Sequence, residues 1–180
     1  MSPVGDIERI TQDRVIALYT KPDSLDYTYL GNWHERPDNS NIEEVLLSNY
    51  LQKNGYTQTL IKKAIYELKK VAGVQNKNLY GINKDVYTIL RYGAKVREDV
   101  GENTQTVRLI DWENPQNNHF AIAEEVSIKG ENRKRPDIVI YVNGIALGVL
   151  ELKRSTVSVS EGIRQNLDNQ KSMFIMPFFG

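Results

Sequence analysis

Apolar residues recur at helical spacing between Gln58 and Gly73, where Leu60, Ile61, Ala64, Ile65, Leu68 and Val71 fall on one face. A helix is predicted from about Gln58, stopping at Gly73. Just upstream, Ser40-Asn41-Ile42-Glu43 has the form of a capping box. It opens a predicted helix that runs to Asn54 and stops at Gly55. Together the two segments read as a helical hairpin whose apolar stripes are packing faces. Nearer the N-terminus, Thr11 is a candidate N-cap for a short helix through about Tyr19, closed by Lys21-Pro22. The stretch from Leu25 to Ser40, with Trp33, Pro37, Asn32 and Asn39, reads as a loop.

From about Gly93 the period changes. Ala94 to Glu98 and Thr104 to Asp111 are β-like, and Phe120, Ile122, Glu124, Val126 and Ile128 alternate with period two. Two strongly apolar segments follow, Asp137 to Val142 and Ile145 to Leu152, joined at Asn143-Gly144. Both faces of this hairpin are apolar, the signature of central strands covered on both sides, usually by helices. Ser158-Val159-Ser160-Glu161 is a second capping box, opening a polar helix to about Lys171, and Met173 to Phe179 reads as a last strand. The fold class expected is α/β: a mixed, twisted sheet built round the hairpin and flanked by helices, with the N-terminal helical hairpin at one edge. Residues 1–180 are expected to be a single domain, mainly helical to about residue 90 and a sheet-bearing core from about 91. The ending on Phe178-Phe179-Gly180, directly after an apolar run, suggests a piece of a longer chain.

Composition narrows the chemistry. The absence of cysteine excludes disulfides, thiol catalysis and Cys-ligated zinc or iron–sulfur sites. Neither a signal-peptide apolar region nor a run near the roughly 18 residues of a membrane span is visible, so the expectation is a soluble, cytoplasmic protein without a membrane partner. With 23 basic against 23 acidic residues the net charge is zero, but phosphates respond to local charge. A basic cluster stands out in Lys129, Arg133, Lys134 and Arg135, diluted only by Glu131.

Beside that cluster stands a chemically meaningful set. Asp137 opens one strand, and Glu151 and Lys153 lie two apart near the end of the next, hence on one face. Two carboxylates and a lysine beside a basic loop suit metal-assisted phosphodiester hydrolysis, with the acids on Mg²⁺ and the ammonium orienting water and offsetting developing charge. Hairpin register tests the idea. A two-residue Asn-Gly turn would set Val142 opposite Ile145 and point Glu151 away from Asp137. A three-residue loop, Val142-Asn143-Gly144 with a left-handed Gly144, puts Glu151 and Lys153 on the side of Asp137. The site therefore predicts the three-residue loop, and a tight turn without another bulge would contradict it.

Pro136-Asp137…Glu151-Leu152-Lys153 resembles the PD-(D/E)xK nuclease signature. The whole run from Lys134 to Arg154, KRPDIVIYVNGIALGVLELKR, resembles the N-terminal endonuclease domain of the type I restriction enzyme R subunit, the HsdR family. The resemblance extends to Ala121–Val126, Leu109–Trp112, Leu90–Gly93, Thr11–Val15 and Leu30–Trp33. It implies a restriction-endonuclease-like core cutting double-stranded DNA with Mg²⁺, for which Mn²⁺ can substitute. It also implies helicase-like domains beyond this chain that use ATP to translocate DNA, and separate methyltransferase (M) and specificity (S) subunits. Asp137 and Glu151 match the metal-binding acids and Lys153 the catalytic lysine. Gln165 matches the glutamine of a following Gln-x-x-x-Tyr motif, although Asn169 stands where its tyrosine would be. Arg133, Lys134, Arg135 and Arg154 are the candidate DNA-backbone contacts. Related nucleases take a glutamate from the first helix; here that region offers Gln12, Asp13 and Glu8. No G-x-x-x-x-G-K-[ST] P-loop is present, so any motor lies outside these residues.

Other residues carry less. His34 and His119, in polar loops, read as surface residues. Glu124 and Glu125, adjacent on a predicted strand, should face opposite sides, the inward one reaching the metal or Lys153. Two alternatives remain: a docking module joining the motor subunit to its methyltransferase, with the nuclease fold retained as structure, and another DNA-repair nuclease of the same signature.

Overall fold

The computed structural model describes residues 3–73, 77–127 and 135–152, with residues 160, 163, 164 and 167 beyond them; side chains of residues 3–8 and 79 are outside the description. In chain order the elements are α1 (Pro3–Thr20), β1 (Thr28–Asn32), α2 (Glu44–Lys53), α3 (Gln58–Ala72), α4 (Leu79–Tyr92), β2 (Ala94–Val96), β3 (Gln105–Val107), β4 (Phe120–Glu124), β5 (Ile138–Val142) and β6 (Ile145–Leu150). The mixed four-stranded sheet and four helices make an α/β fold. Among the described residues, no helix is long and apolar enough to cross a membrane. Contacts gather into two compact units. One takes residues 1–40, 120–141 and 146–176, and the other residues 41–119, 142–145 and 177–180.

The first unit carries the sheet, in the order β1-β4-β5-β6. β1 runs parallel to β4, with Thr28 opposite Ala121 and Tyr29 opposite Ile122. The register then slips so that Asn32 meets Glu124, at Gly31, whose φ of 103° is open to glycine and strained for other residues. β5 is antiparallel to β4, since the Glu125 N–H donates to the Asp137 carbonyl at 2.9 Å and the Asn143 N–H to the His119 carbonyl at 2.8 Å, numbers rising on one strand as they fall on the other. β4 is buried on both faces, as its apolar and small residues require of a central strand. Tyr27 stacks on Phe120 and meets Tyr19 edge-on, tying β4 to the end of α1. Trp33 packs against Tyr141 and carries Arg36 over its ring.

Two expectations for this unit fail. β1 lies within the stretch read as a loop, and its pairing partner is some ninety residues away, so no local pattern announces it. α1 begins at Pro3, not near Thr11, because proline is well suited to a first helical turn.

In the second unit α3 packs against α2, α4 and the hairpin β2-β3. Leu60, Ile61, Ala64, Ile65 and Leu68 of α3 are buried as the spacing predicts, and Thr57 caps the helix through the Leu60 N–H. The Ser40–Glu43 capping box does not form. Glu43 is the N-cap residue without a side-chain cap bond, its N–H donates to the Gly144 carbonyl, and Ile42 bridges to Ile145. α4 is an element the sequence reading leaves out.

The hairpin also departs from expectation. Asn143 and Gly144 both take positive φ, 53° and 83°, between strands that reach Val142 and Ile145. That is a two-residue turn of the mirror-image type, since a three-residue bulged loop would need only Gly144 left-handed. The ladder then slips. A Cβ built on Gly148 would lie 3.5 Å from the Ile140 Cβ, which requires the two residues to share a face. The turn alone would oppose Ile140 to Leu147 and point Gly148 the other way. One extra residue is therefore accommodated in β6 before Gly148, and Leu147, 42 % exposed after buried Ala146, marks the place. Counted past the strand ends, the Ile140–Gly148 register would set Asp137 level with Glu151.

Candidate functional site

The slip restores what the turn by itself would forbid. Carried past the strand ends, that register would give Asp137 and Glu151 one face of the β5-β6 pair. The Leu152 N–H donates to Asp137 Oδ2 at 2.6 Å, which holds the carboxylate against the end of β6. The Asp137 carbonyl accepts from Glu125 N–H at 2.9 Å and from Gln12 Nε2 at 3.4 Å. Asp137 is thus held through both side chain and backbone at the start of β5.

It lines a cleft of about 640 Å³ with Arg9 and Gln12 of α1, Asn32, His34 and Glu35 after β1, and Glu125 and Arg135. Two of these lining residues, Arg9 and Gln12, bind a buried acid. Glu124, 2 % exposed, accepts from Arg9 Nη1 at 2.9 Å and Gln12 Nε2 at 2.8 Å on Oε2. On Oε1 it accepts from Arg9 Nη2 at 3.3 Å and the Tyr29 hydroxyl at 2.7 Å. Burial, and then the Glu124 carboxylate that accepts its proton, push the Tyr29 phenol up to about 12. The hydrogen bond to Glu124 likewise raises the Arg9 guanidinium above its ordinary value. Arg9 also pairs with Asp13 one turn on, at 2.9 Å.

Glu124 and Glu125 do not diverge as two consecutive strand residues should. Glu125 leaves the strand with φ 54°, and both carboxylates accept from the same Gln12 amide. Arg135 closes the set with an ion pair to Glu125 at 2.7 Å. Gln12 of the first helix therefore acts as a buried donor that joins the end of β4 to the start of β5. The sequence offered no means of pairing Arg9, Gln12 and Tyr29 with an acid roughly a hundred positions away.

The predicted site residues fall into two groups. Asp137, Glu151 and Arg135 lie among the described residues, with Arg135 paired to Glu125. Lys153, Arg154, Gln165, Arg133, Lys134 and Lys129 lie outside the described residues, as does the side chain of Glu8. Among the described residues, no three His, Asp or Glu side chains close on one point as a ready-made metal cage. His34 is exposed at the cleft, whereas His119 is half-buried in the other unit, and burial followed by the nearby Lys53 charge lowers its pKa.

A family model described as the type I restriction enzyme R protein N terminus matches residues 8–178. The chain belongs to that family. Its relatives carry the same subject. A putative type I restriction enzyme MjaIXP endonuclease subunit of Methanocaldococcus jannaschii is 28 % identical over 159 residues, covering 81 % of this chain and 15 % of the relative. The type I restriction enzyme HindI endonuclease subunit of Haemophilus influenzae is 35 % identical over 75 residues, 39 % of this chain and 7 % of the relative. This R-protein N-terminal chain thus spans a small fraction of the length of the endonuclease subunits it matches.

Proposed function

We propose that this chain is the Mg²⁺-dependent endonuclease part of a type I restriction R subunit and cleaves double-stranded DNA. The observation that supports the reading is the Asp137 carboxylate held by the Leu152 N–H, the residue that follows Glu151. Two carboxylates suit Mg²⁺, which binds through one or two protein oxygens while keeping several waters, so a complete cage is not needed. Bound there, Mg²⁺ supplies a Lewis acid for the scissile phosphate and lowers the pKa of a bound water.

The chain's own residues have separable tasks in this scheme. The Leu152 N–H fixes the Asp137 carboxylate, so the ligand is oriented before metal or DNA arrives. Lys153, two residues after Glu151 in the sequence, supplies the ammonium that orients the attacking water and offsets charge growing on the phosphate. Arg133, Lys134, Arg135 and Arg154, with Gln165 on the next segment, hold the DNA backbone. The restriction-endonuclease-like PD-(D/E)xK core is the fold this scheme requires. Mn²⁺ serves in place of Mg²⁺, ATP acts through helicase domains elsewhere in the subunit, and the M and S subunits deliver the DNA in the cytoplasm.

The test uses the assembled restriction complex. Asp137→Ala, Glu151→Ala and Lys153→Ala should each abolish cleavage while leaving ATP hydrolysis intact. Normal cutting by the Asp137→Ala complex would sink the assignment. Loss of both activities would show a subunit that failed to assemble, and Asp137→Asn, which keeps the shape, would then decide.

A further inference from the structure

α4 buries Ile82, Val86 and Leu90, and on a flank away from them it presents Tyr80, Lys84, Tyr87 and Arg91. Steps of four, three and four residues align these side chains in one stripe. Tyr80 is 76 % exposed and Tyr87 57 % exposed, large aromatic surfaces left to solvent without packing. Lys84 makes no ion pair among the described residues, and Arg91 stands 5.5 Å over the ring of Trp112. Trp112 is itself anchored, its indole N–H donating to the Leu90 carbonyl at 2.8 Å.

The stripe contains no acid. The nearby acids have partners of their own: Asp85, on the next flank of the helix, pairs with Lys77, and Glu113 pairs with Arg108. The Asp111 carboxylate accepts from the N–H groups of Glu113 and Asn114 and from the Asn117 amide. What remains is a row of two cations and two phenol donors, in which Lys84 and Arg91 stand about 10 Å apart along the axis. Lysine, arginine and tyrosine side chains in such a row are donors to phosphate oxygens.

We propose that this face of α4 binds the phosphodiester backbone of duplex DNA, as a holding surface in the unit that lacks Asp137. The choice of duplex DNA as the anion rests on the nuclease reading; the complementarity of a donor-only stripe to phosphate does not. Such a surface neutralises phosphates without reading bases, so it serves any sequence and weakens steeply with salt.

Binding of a labelled random-sequence duplex to the 180-residue chain is measured by fluorescence anisotropy in EDTA over a salt series, where cleavage plays no part. Lys84→Glu/Arg91→Glu should weaken binding roughly tenfold or more and reduce the log–log salt slope by about 2. Tyr80→Phe/Tyr87→Phe should weaken it several-fold with the slope unchanged, because a phenol releases no counterion. Lys21→Glu, just past the end of α1, makes half that change in net charge elsewhere and should bind as the parent does. Undetectable parental binding at low salt, unchanged affinity in the double charge reversal, or an equal loss in Lys21→Glu would each overturn the proposal. The cleavage test at Asp137 is independent: its failure leaves a positive binding result standing, and the reverse holds too.

Discussion

Glu124→Gln removes one buried charge, bound by Arg9 and Gln12 of the cleft, and almost no volume. The carboxylate now accepts from four donors on three side chains, Arg9, Gln12 and Tyr29. An amide offers only one accepting oxygen, so its NH₂ must face donors whichever way it turns. Placed at the Oε2 position it meets Arg9 Nη1 and Gln12 Nε2, and Gln12 cannot turn over without surrendering its bonds to Glu125 and Asp137. Placed at the Oε1 position it meets the Tyr29 hydroxyl, which can rotate to accept, and Arg9 Nη2 at 3.3 Å, which cannot. The second arrangement is therefore the lesser evil. One bond to Arg9 is lost and three others lose their charge assistance, each by about 1 kcal/mol. The Arg9 share is discounted, because that side chain is half exposed and keeps Asp13. The expected destabilisation is about 2–3 kcal/mol.

Denaturant unfolding and calorimetry measure it, with a fall in Tm of roughly 5–10 °C for a chain of this size. A second readout is specific to the geometry. Tyr29 titrates near 12 chiefly through burial and then through Glu124, so in Glu124→Gln its pKa should fall towards the ordinary 10 yet stop above it. A Tyr29→Phe reference isolates this phenol from the other nine tyrosines by difference absorbance. The sign for stability follows: a raised pKa means that Tyr29 stabilises the fold fully below pH 10, and the contribution disappears as pH rises through about 12. A variant as stable as the parent with an unmoved Tyr29 titration would refute the cluster as described.

Two glycines separate backbone strain from crowding. At Gly144 (φ 83°) an added Cβ would lie 2.7 Å from the Glu43 carbonyl oxygen and 2.9 Å from the Leu47 nitrogen, so Gly144→Ala should cost on the order of 3 kcal/mol. At Gly31 (φ 103°) the added Cβ meets nothing within 4 Å, so Gly31→Ala should cost about 1–2 kcal/mol from conformation alone; equal losses in urea unfolding would contradict the crowding. Burial and Lys53 lower the His119 pKa, so its neutral form stabilises the fold above the unfolded value near 6.5 and that contribution is lost as pH falls through the folded pKa. An NMR titration of His119 should show this lowered pKa rising in Lys53→Met, and no response to that change would remove the charge from the explanation.

What could be read from the chain divides by distance along it. α3 was legible because its signal is local: a six-residue apolar stripe and a closing Gly73. β4, β5 and β6 were legible because their apolar content demands burial wherever they pair. α4 carried a comparable signal in Ile82, Val86 and Leu90, obscured by Gly81 and four exposed or flanking aromatic and polar positions. The Ser40 box failed because tertiary bonds from Gly144 and Ile145 claim its backbone, and such competition has no local mark. The same limit hid the Arg9–Gln12–Tyr29–Glu124 set. The acids of the proposed site were visible as residue types at a spacing, but their sharing of a face depended on one extra residue in β6. Nothing in ALGVL says where a bulge falls, apart from the glycine that permits Ile140 to come so close.

The acids at this end of the sheet can be told apart by what their oxygens already do. Glu124 is saturated by donors from α1 and β1, and a carboxylate in that state serves as a framework for other groups. Glu125 is spanned between Gln12 and Arg135. Both fix the chain that delivers Asp137, through the Glu125 N–H and the Gln12 amide on the Asp137 carbonyl. Substitutions at Gln12 should therefore act on the position of Asp137 as well as on stability, although Gln12 offers no carboxylate to a metal. A first-helix amide in place of an acid is then consistent with a site that takes its charge from Asp137 and Glu151 and takes its rigidity from α1. That division makes a sharp demand: Gln12→Glu, which adds a charge beside Glu124 and Glu125, should disturb the framework instead of improving metal binding.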